Sequence, residues 1–232
     1  MAVTALPPRP PKSMSLGAAM ARVALWPFAA PCEGAHRLPE GAALVVANHS
    51  TFLDGLLMAR GFAWRQYRPL RVIAYGEPFT HRLFGYMLRR GRCIPLDRLA
   101  PDGSRRMLAA ALGCLQRGEA VGLFPEGHLT RGPRLGRARP GLGFLALESG
   151  APVVPTGICG GERVWPDRRR WPRWPGWRGR MVWRIGEPMR FADESIRYKN
   201  GAGPEERARL LAQVTRAVMR EVAALCGREP PD

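Results

Sequence analysis

His49 and Asp54 stand five positions apart in the run ALVVANHSTFLD, residues 43–54. An imidazole beside a carboxylate is equipped to move a proton at neutral pH. The carboxylate accepts from one ring nitrogen, fixes the tautomer and leaves the other nitrogen free as a general base. Five is an awkward spacing for a regular element. Helical neighbours lie three or four apart, and residues five apart on a strand point to opposite faces. The pair meets only if the chain turns between them, from a strand into a helix. A second reading fits the same residues. Asp54 precedes the apolar run GLLMA, and helix starts favour Asp as a cap. On this segment alone the two readings weigh equally.

Three further segments deliver polar residues after apolar runs. VGLFPEGHLTR, residues 121–131, ends its strand-like part at Pro125-Glu126-Gly127, where Pro and Gly force a turn. GRCIPLDR, residues 91–98, sets Arg98 just after a short apolar strand. GAPVVPTGICG, residues 150–160, is a β-branched strand interrupted by Pro155. Polar residues at the C-terminal ends of buried strands occupy the place where open α/β sheets bind ligands.

The elements that must position these residues follow from periodicity and punctuation. Strands are expected at 43–48, 70–75, 93–96, 121–125, 153–158 and 181–186, and helices at 54–64, 79–90, 103–117, 140–149 and 204–226. The last helix carries Leu210, Leu211, Val214, Val218, Val222 and Leu225 at helical spacing, with Pro204 near its start and Gly227 beyond its end. It reads as a packing helix. Strands alternating with helices predict an α/β single-domain sandwich with a mixed, mostly parallel sheet flanked by helices. No internal repeat, Gly-x-Gly-x-x-Gly or P-loop is present, so a nucleotide-fold enzyme is unsupported.

Lys plus Arg number 36 against 19 Asp plus Glu, a formal net charge of +17. Such a charge attracts nucleic acid, an anionic membrane surface or an acidic carrier protein. It is nearly all arginine, so genomic composition bias is the competing explanation. The five cysteines, at 32, 93, 114, 159 and 226, are scattered and form no C-x-x-C. They read as reduced thiols in a reducing compartment, without a zinc or redox motif. His36, His81 and His128 lack metal-ligand spacing, and no metal site is expected.

Residues 1–12 are Pro-rich and expected to be a disordered tail. Residues 13–37 are expected to be a membrane-associated segment. Its part SMSLGAAMARVALWPFAA, residues 13–30, is broken by Pro27 and short of the ~20 apolar residues of a bilayer span. It reads as an N-terminal interfacial helix, the alternative being an ordinary packing helix. The remaining residues, 38–228, form the main domain. ERVWPDRRRWPRWPGWRGRMVW, residues 162–183, holds five of the seven Trp, interleaved with Arg and Pro. That pattern suits a membrane-contacting loop. Single-stranded nucleic acid, or Arg stacked on Trp within the domain, are the other readings.

In this order and spacing the segments resemble the glycerophospholipid acyltransferases, the group containing bacterial 1-acylglycerol-3-phosphate acyltransferase. The family's NH-x4-D is found as Asn48, His49 and Asp54. Its second motif, a strand and an Arg, matches Ile94, Pro95, Leu96, Asp97 and Arg98. Its third, F-P-E-G-T-R-S, matches Phe124, Pro125, Glu126 and Gly127, and its fourth matches Val154, Pro155 and Thr156. ARPGLGFLALESGAPVVP and WRIGEPMRF extend the likeness to roughly residues 38–226. One departure stands out. The third motif continues as His128, Leu129 and Thr130, so Leu129 occupies the family's Arg position and Arg131 follows two residues later.

The resemblance implies direct acyl transfer from a thioester to a hydroxyl, with His49 as base and Asp54 orienting it. It implies that the arginines of the second and third motifs, of which Arg98 is present here, bind the phosphate of the acceptor, and that Glu126 and Gly127 shape the acceptor site; His128 and Arg131, on the same loop, are further acceptor-binding candidates. Glu126 would bind a glycerol hydroxyl or hold Arg98, and backbone N–H groups near Gly127 would face the oxyanion. No cofactor is expected beyond acyl-CoA or acyl-carrier protein as co-substrate. The partners implied are a lysolipid acceptor and an anionic membrane surface, with no nucleic acid, at the cytoplasmic face of the cell membrane, peripheral or monotopic. The leading acceptor is 1-acylglycerol-3-phosphate. Acylation of a different lysolipid or hydroxylated lipid, or a non-catalytic basic protein binding membrane or nucleic acid, is the alternative.

Overall fold

A computed structural model describes residues 32–66, 69–80, 82–130, 132–165 and 180–231. The tail, the segment 13–30, Arg131 and most of the Trp/Arg-rich run lie outside the described residues. After a single 3-10 turn at Ala35–Arg37, the order is β1 Ala43–Ala47, α1 Asp54–Gln66, β2 Leu70–Tyr75, α2 Glu77–Thr80, α3 Arg82–Arg90 and β3 Ile94–Leu96. Then come α4 Gly103–Gln116, β4 Ala120–Leu123, α5 Gly141–Ser149, β5 Val153–Cys159, α6 Gly161–Val164, β6 Val182–Ile185, α7 Ala192–Lys199 and α8 Pro204–Cys226.

Among the described residues the strands form one six-stranded sheet, ordered β3-β2-β4-β1-β5-β6. All neighbours are parallel except β5 and β6. This is the expected mixed, mostly parallel sheet. β1 is central and buried throughout, which is why it reads as an unbroken apolar run. Its residues alternate between two cores. Leu44 and Val46 face a layer built from α4, α5 and α8, including Leu115, Leu145, Val214 and Val218. Ala43, Val45 and Ala47 face α1, through Met58 and Phe62, together with Trp183 and Ile185 of β6.

Register places the site. Val46 pairs with Leu123, and Ala47 with Thr156. The chains leaving β1 and β4 therefore emerge side by side, at the end of the sheet where parallel strands present ligand-binding loops. α8 closes the opposite layer between Pro204 at its start and Gly227, whose φ of 70° forms the left-handed cap.

Three expectations are corrected. Helical residues of the helix expected at 79–90 already start at Glu77; Glu77–Thr80 and Arg82–Arg90 are helical, and His81 lies outside the described residues. α6 and α7 fall where no element was expected; α7, ADESIRYK, buries only Ser195 and Tyr198, too little to show an apolar stripe. Trp183 belongs to the run expected to contact a membrane, but it is 1% exposed in the core. Residues 166–179 of that run lie outside the described residues. Among the described residues no helix is long and apolar enough to cross a membrane.

β5 is held close to α8 by the absence of a side chain at Gly157. A Cβ there would lie 2.5 Å from the backbone N of Cys226 and 2.5 Å from the backbone C of Leu225. Helix backbone does not step aside as a flexible side chain would. Gly157→Ala is expected to lower stability by about 1–3 kcal/mol, measured by urea unfolding; an unchanged midpoint would show that α8 is not seated on β5.

Candidate active site

Asn48 is the first residue past β1, and it closes the sheet end. Its Nδ2 donates to the Ile158 carbonyl at 2.9 Å, and its Oδ1 accepts from the Ile158 N–H at 2.7 Å. The next residue, His49, is gripped by its backbone on both sides. Its N–H donates to Glu126 Oε1 at 2.9 Å, and its carbonyl accepts from the Thr130 N–H at 2.7 Å. The imidazole stacks on Phe124, with centroids 4.2 Å apart and planes 19° from parallel.

His49 and Asp54 do meet. Nδ1 of the ring is 3.0 Å from Asp54 Oδ2. Asp54 is the first residue of α1 and is 0% exposed. Its carboxylate also accepts from the N–H groups of Ser50 at 2.6 Å and Thr51 at 2.8 Å, and from the Thr51 hydroxyl at 2.8 Å. The carboxylate thus points back into the turn that precedes the helix, rather than capping the helix ahead. Each partner within the turn donates to it, so Nδ1 is the nitrogen that carries the hydrogen. Nε2 keeps its lone pair and has no hydrogen-bond partner among the described residues, on a side chain 16% exposed. The N-terminal end of α6 packs on this turn through Gly161, where a Cβ would lie 2.4 Å from Ser50 Oγ. Phe52, 68% exposed, forms the outer lip of the turn, edge-on to Trp165 at 5.8 Å.

Glu126 is 1% exposed. Oε1 accepts from His49 N–H and Oε2 from Gly136 N–H, the latter at 2.8 Å. Both oxygens are thus taken by backbone, and neither contacts Arg98. Arg98, exposed at the end of β3, instead donates to the Gly127 carbonyl and lies 4.3 Å above the Tyr75 ring. Gly127 has a φ of 67°, the left-handed region that favours glycine. Its N–H donates to the Phe124 carbonyl at 3.1 Å and is not available to an oxyanion. His128 is exposed on the same loop. Arg131 lies outside the described residues.

The contacts that sequence spacing does not show are those made by Asn48, Ser50, Thr51, Phe124 and Gly136. Ser50, Thr51 and Gly136 act through backbone N–H groups, Thr51 also through its hydroxyl, Phe124 through its ring face and Asn48 through its side-chain amide. No group of three or more His, Cys, Asp or Glu side chains gathers as a metal site among the described residues. All five cysteines are free. Burial, assisted by Glu33, pushes the Cys32 thiol up to about 12, and burial pushes those of Cys93 and Cys226 to about 11. At neutral pH these are thiols, not thiolate nucleophiles.

A strand-end histidine is thus oriented by a buried aspartate, and Arg98, on the loop after β3, reaches the loop after β4 at Gly127. The acyltransferase family model matches residues 30–159, more than half of the chain. The chain belongs to the acyltransferase family. It is 28% identical to the chloroplastic 1-acyl-sn-glycerol-3-phosphate acyltransferase of Arabidopsis thaliana over 63% of this chain and 40% of that protein. It is 28% identical to the 1-acyl-sn-glycerol-3-phosphate acyltransferase of Pseudomonas aeruginosa, over 62% of this chain and 53% of that one. For the Bacillus subtilis protein of the same name the figures are 28% identity, 67% and 71%. The chain thus spans about half or less of the length of the first curated relatives it matches. The crystal structure of the 1-acyl-sn-glycerophosphate acyltransferase PlsC from Thermotoga maritima shares the fold. Its TM-score is 0.63 at 24% identity, covering 89% of this chain and 78% of that one.

Glu126→Gln separates the two functions open to that residue. Whichever way the amide turns, its NH2 faces a backbone N–H that the carboxylate accepted. A stability loss of about 1–3 kcal/mol is expected, read by thermal or urea unfolding, with little change in acceptor KM. A raised KM at unchanged stability would instead make Glu126 an acceptor ligand.

Proposed function

We propose that the protein is an O-acyltransferase. It moves a fatty acyl group from an acyl thioester, acyl-CoA or acyl-carrier protein, to a hydroxyl of a lysophospholipid. The leading acceptor is 1-acylglycerol-3-phosphate, with phosphatidic acid as product. The observation that carries this reading is the 3.0 Å contact between His49 Nδ1 and buried Asp54, with Nε2 left without a hydrogen-bond partner among the described residues. The named relatives support the choice of acceptor.

The acceptor hydroxyl gives its proton to His49 Nε2 as its oxygen attacks the thioester carbonyl. The resulting imidazolium is stabilised by Asp54, which acts as the aspartate does in serine-type triads without itself taking the proton. The tetrahedral intermediate then collapses, the C–S bond breaks, and the leaving sulfur takes the proton back from Nε2. The substrate hydroxyl replaces a nucleophilic serine, so no covalent acyl-enzyme forms. Phe124 limits rotation of the ring and shields one face from water. Arg98 binds the acceptor near Gly127, and His128 and Arg131 belong to the same acceptor loop.

The acyl chains and the lysolipid place the reaction at a membrane surface. Residues 13–37 are the membrane-associated segment in this reading, and 38–228 the acyltransferase domain, acting at the cytoplasmic face. The net charge of +17 suits an anionic surface and either acidic donor. A second acceptor class is favoured by Leu129, which cannot hold a phosphate as the family's Arg does.

The test is a long-chain acyl thioester with a panel of lysolipids, with and without phosphate, read by mass spectrometry. Acylated 1-acylglycerol-3-phosphate is the expected product, and acylation of another acceptor alone would redirect the assignment. His49→Ala is expected to lower kcat by about 10²–10⁴-fold with the circular dichroism spectrum unchanged; substantial surviving turnover would remove His49 as the base. Asp54→Asn is expected to fall by a similar factor, since an amide cannot accept from every donor in the turn and no longer dictates the tautomer.

A further inference from the structure

Leu129 leaves the third motif without its arginine, and a phosphate monoester carries about −1.5 to −2 of charge at neutral pH, more than one guanidinium neutralises. A second guanidinium reaches the same spot from a different part of the chain. A Cβ built on Gly127 would lie 2.5 Å from Arg139 Nε and 3.0 Å from Arg139 Cδ. Arg139 therefore lies across the bare face of Gly127. Arg98 engages that same glycine from the β3 side, donating to its carbonyl. The backbone of Arg139 is fixed to this loop, its N–H donating to the Pro125 carbonyl at 2.8 Å.

Both arginines are exposed. The Arg139 side chain makes no hydrogen bond or ion pair with a described residue, and Arg98 makes no ion pair. The carboxylate next to Gly127 in the chain, Glu126, has both oxygens on backbone N–H groups, and Asp97, next to Arg98, accepts through Oδ1 from the N–H groups of Leu99 and Ala100. Two guanidiniums engage one glycine, one at its carbonyl and one at its bare face, and with no described carboxylate paired to either they present donors to an anion. Only a residue without a side chain at position 127 permits the approach.

We propose that Arg98 and Arg139 form a two-sided clamp for the phosphate monoester of the acceptor, with Arg139 supplying the charge that the family's third motif places at position 129. This rests on the acyl-transfer reading of the site and makes the chain selective for phosphorylated acceptors despite Leu129. Arg139 is then a specificity-determining residue, twelve positions beyond Gly127 and outside the short motif. A guanidinium there offers a planar pair of donors that Lys cannot reproduce.

The clamp is tested by binding and by turnover on Arg139→Ala, Arg139→Lys and the control Arg137→Ala, an exposed charge on the same segment. Glycerol 3-phosphate is titrated into labelled protein and followed by NMR. Saturable binding is expected in the wild type, weaker by about tenfold or more in Arg139→Ala, intermediate in Arg139→Lys and within twofold of wild type in Arg137→Ala. In turnover, Arg139→Ala is expected to raise KM for 1-acylglycerol-3-phosphate by a similar factor at near-constant kcat, leaving monoacylglycerol unaffected. Unchanged phosphate binding in Arg139→Ala, no saturable binding in the wild type, or equal losses in Arg137→Ala would overturn the clamp. Arg139-dependent binding without acyl transfer to any lysolipid would keep the clamp and retire the acyltransferase reading, so the two fail separately.

Discussion

The carboxylate of Asp54 is wholly removed from water and accepts from two backbone N–H groups, a hydroxyl and an imidazole. Burying a carboxylate is tolerable only when its oxygens are satisfied. Here the partners are contributed by one short turn, Ser50 and Thr51, and by His49. The charge therefore shapes the backbone between β1 and α1 and aims the ring in the same act. Remove it and the turn loses its organising acceptor, so orientation of the imidazole and local structure are one property.

That turn is anchored at a distance by groups equally hidden. Asn48 ties the end of β1 to Ile158 of β5. Glu126 ties His49 to the loop after β4, across 77 residues of sequence, and to Gly136 beyond it. Parallel register is the precondition, because Val46 opposite Leu123 brings both strand ends to the same edge. The polar side chains most deeply buried near the site hold backbone. Arg98 and Arg139 are exposed, and the His49 side chain keeps 16% of its surface open.

The sequence shows the sheet well because its central strands are buried on both faces and read as unbroken apolar runs. ALVVA is the clearest case, and α8 is bounded by Pro204 and Gly227 as its termini require. Composition misleads at Trp183. Its Arg-rich neighbours suggest an interfacial loop, whereas Met181, Trp183 and Ile185 alternate inward with strand period. The five-residue spacing of His49 and Asp54 makes their contact legible, given a turn. The place of Glu126 is not legible, since its partners are backbone N–H groups of residues far away or in loops. Arg139 is missed for a similar reason: its approach to Gly127 depends on how the loop after β4 doubles back to reach α5, which no local pattern encodes.

The claim at the centre of this account is that Asp54 fixes His49 with its hydrogen on Nδ1 and its lone pair on Nε2. Long-range proton–nitrogen NMR on histidine-labelled protein, at a pH where the ring is neutral, reads the tautomer directly. The account predicts an Nδ1–H tautomer for His49 that loses its preference in Asp54→Asn. An Nε2–H tautomer in the wild type would contradict it, because the nitrogen facing the substrate would then be a donor and not a base.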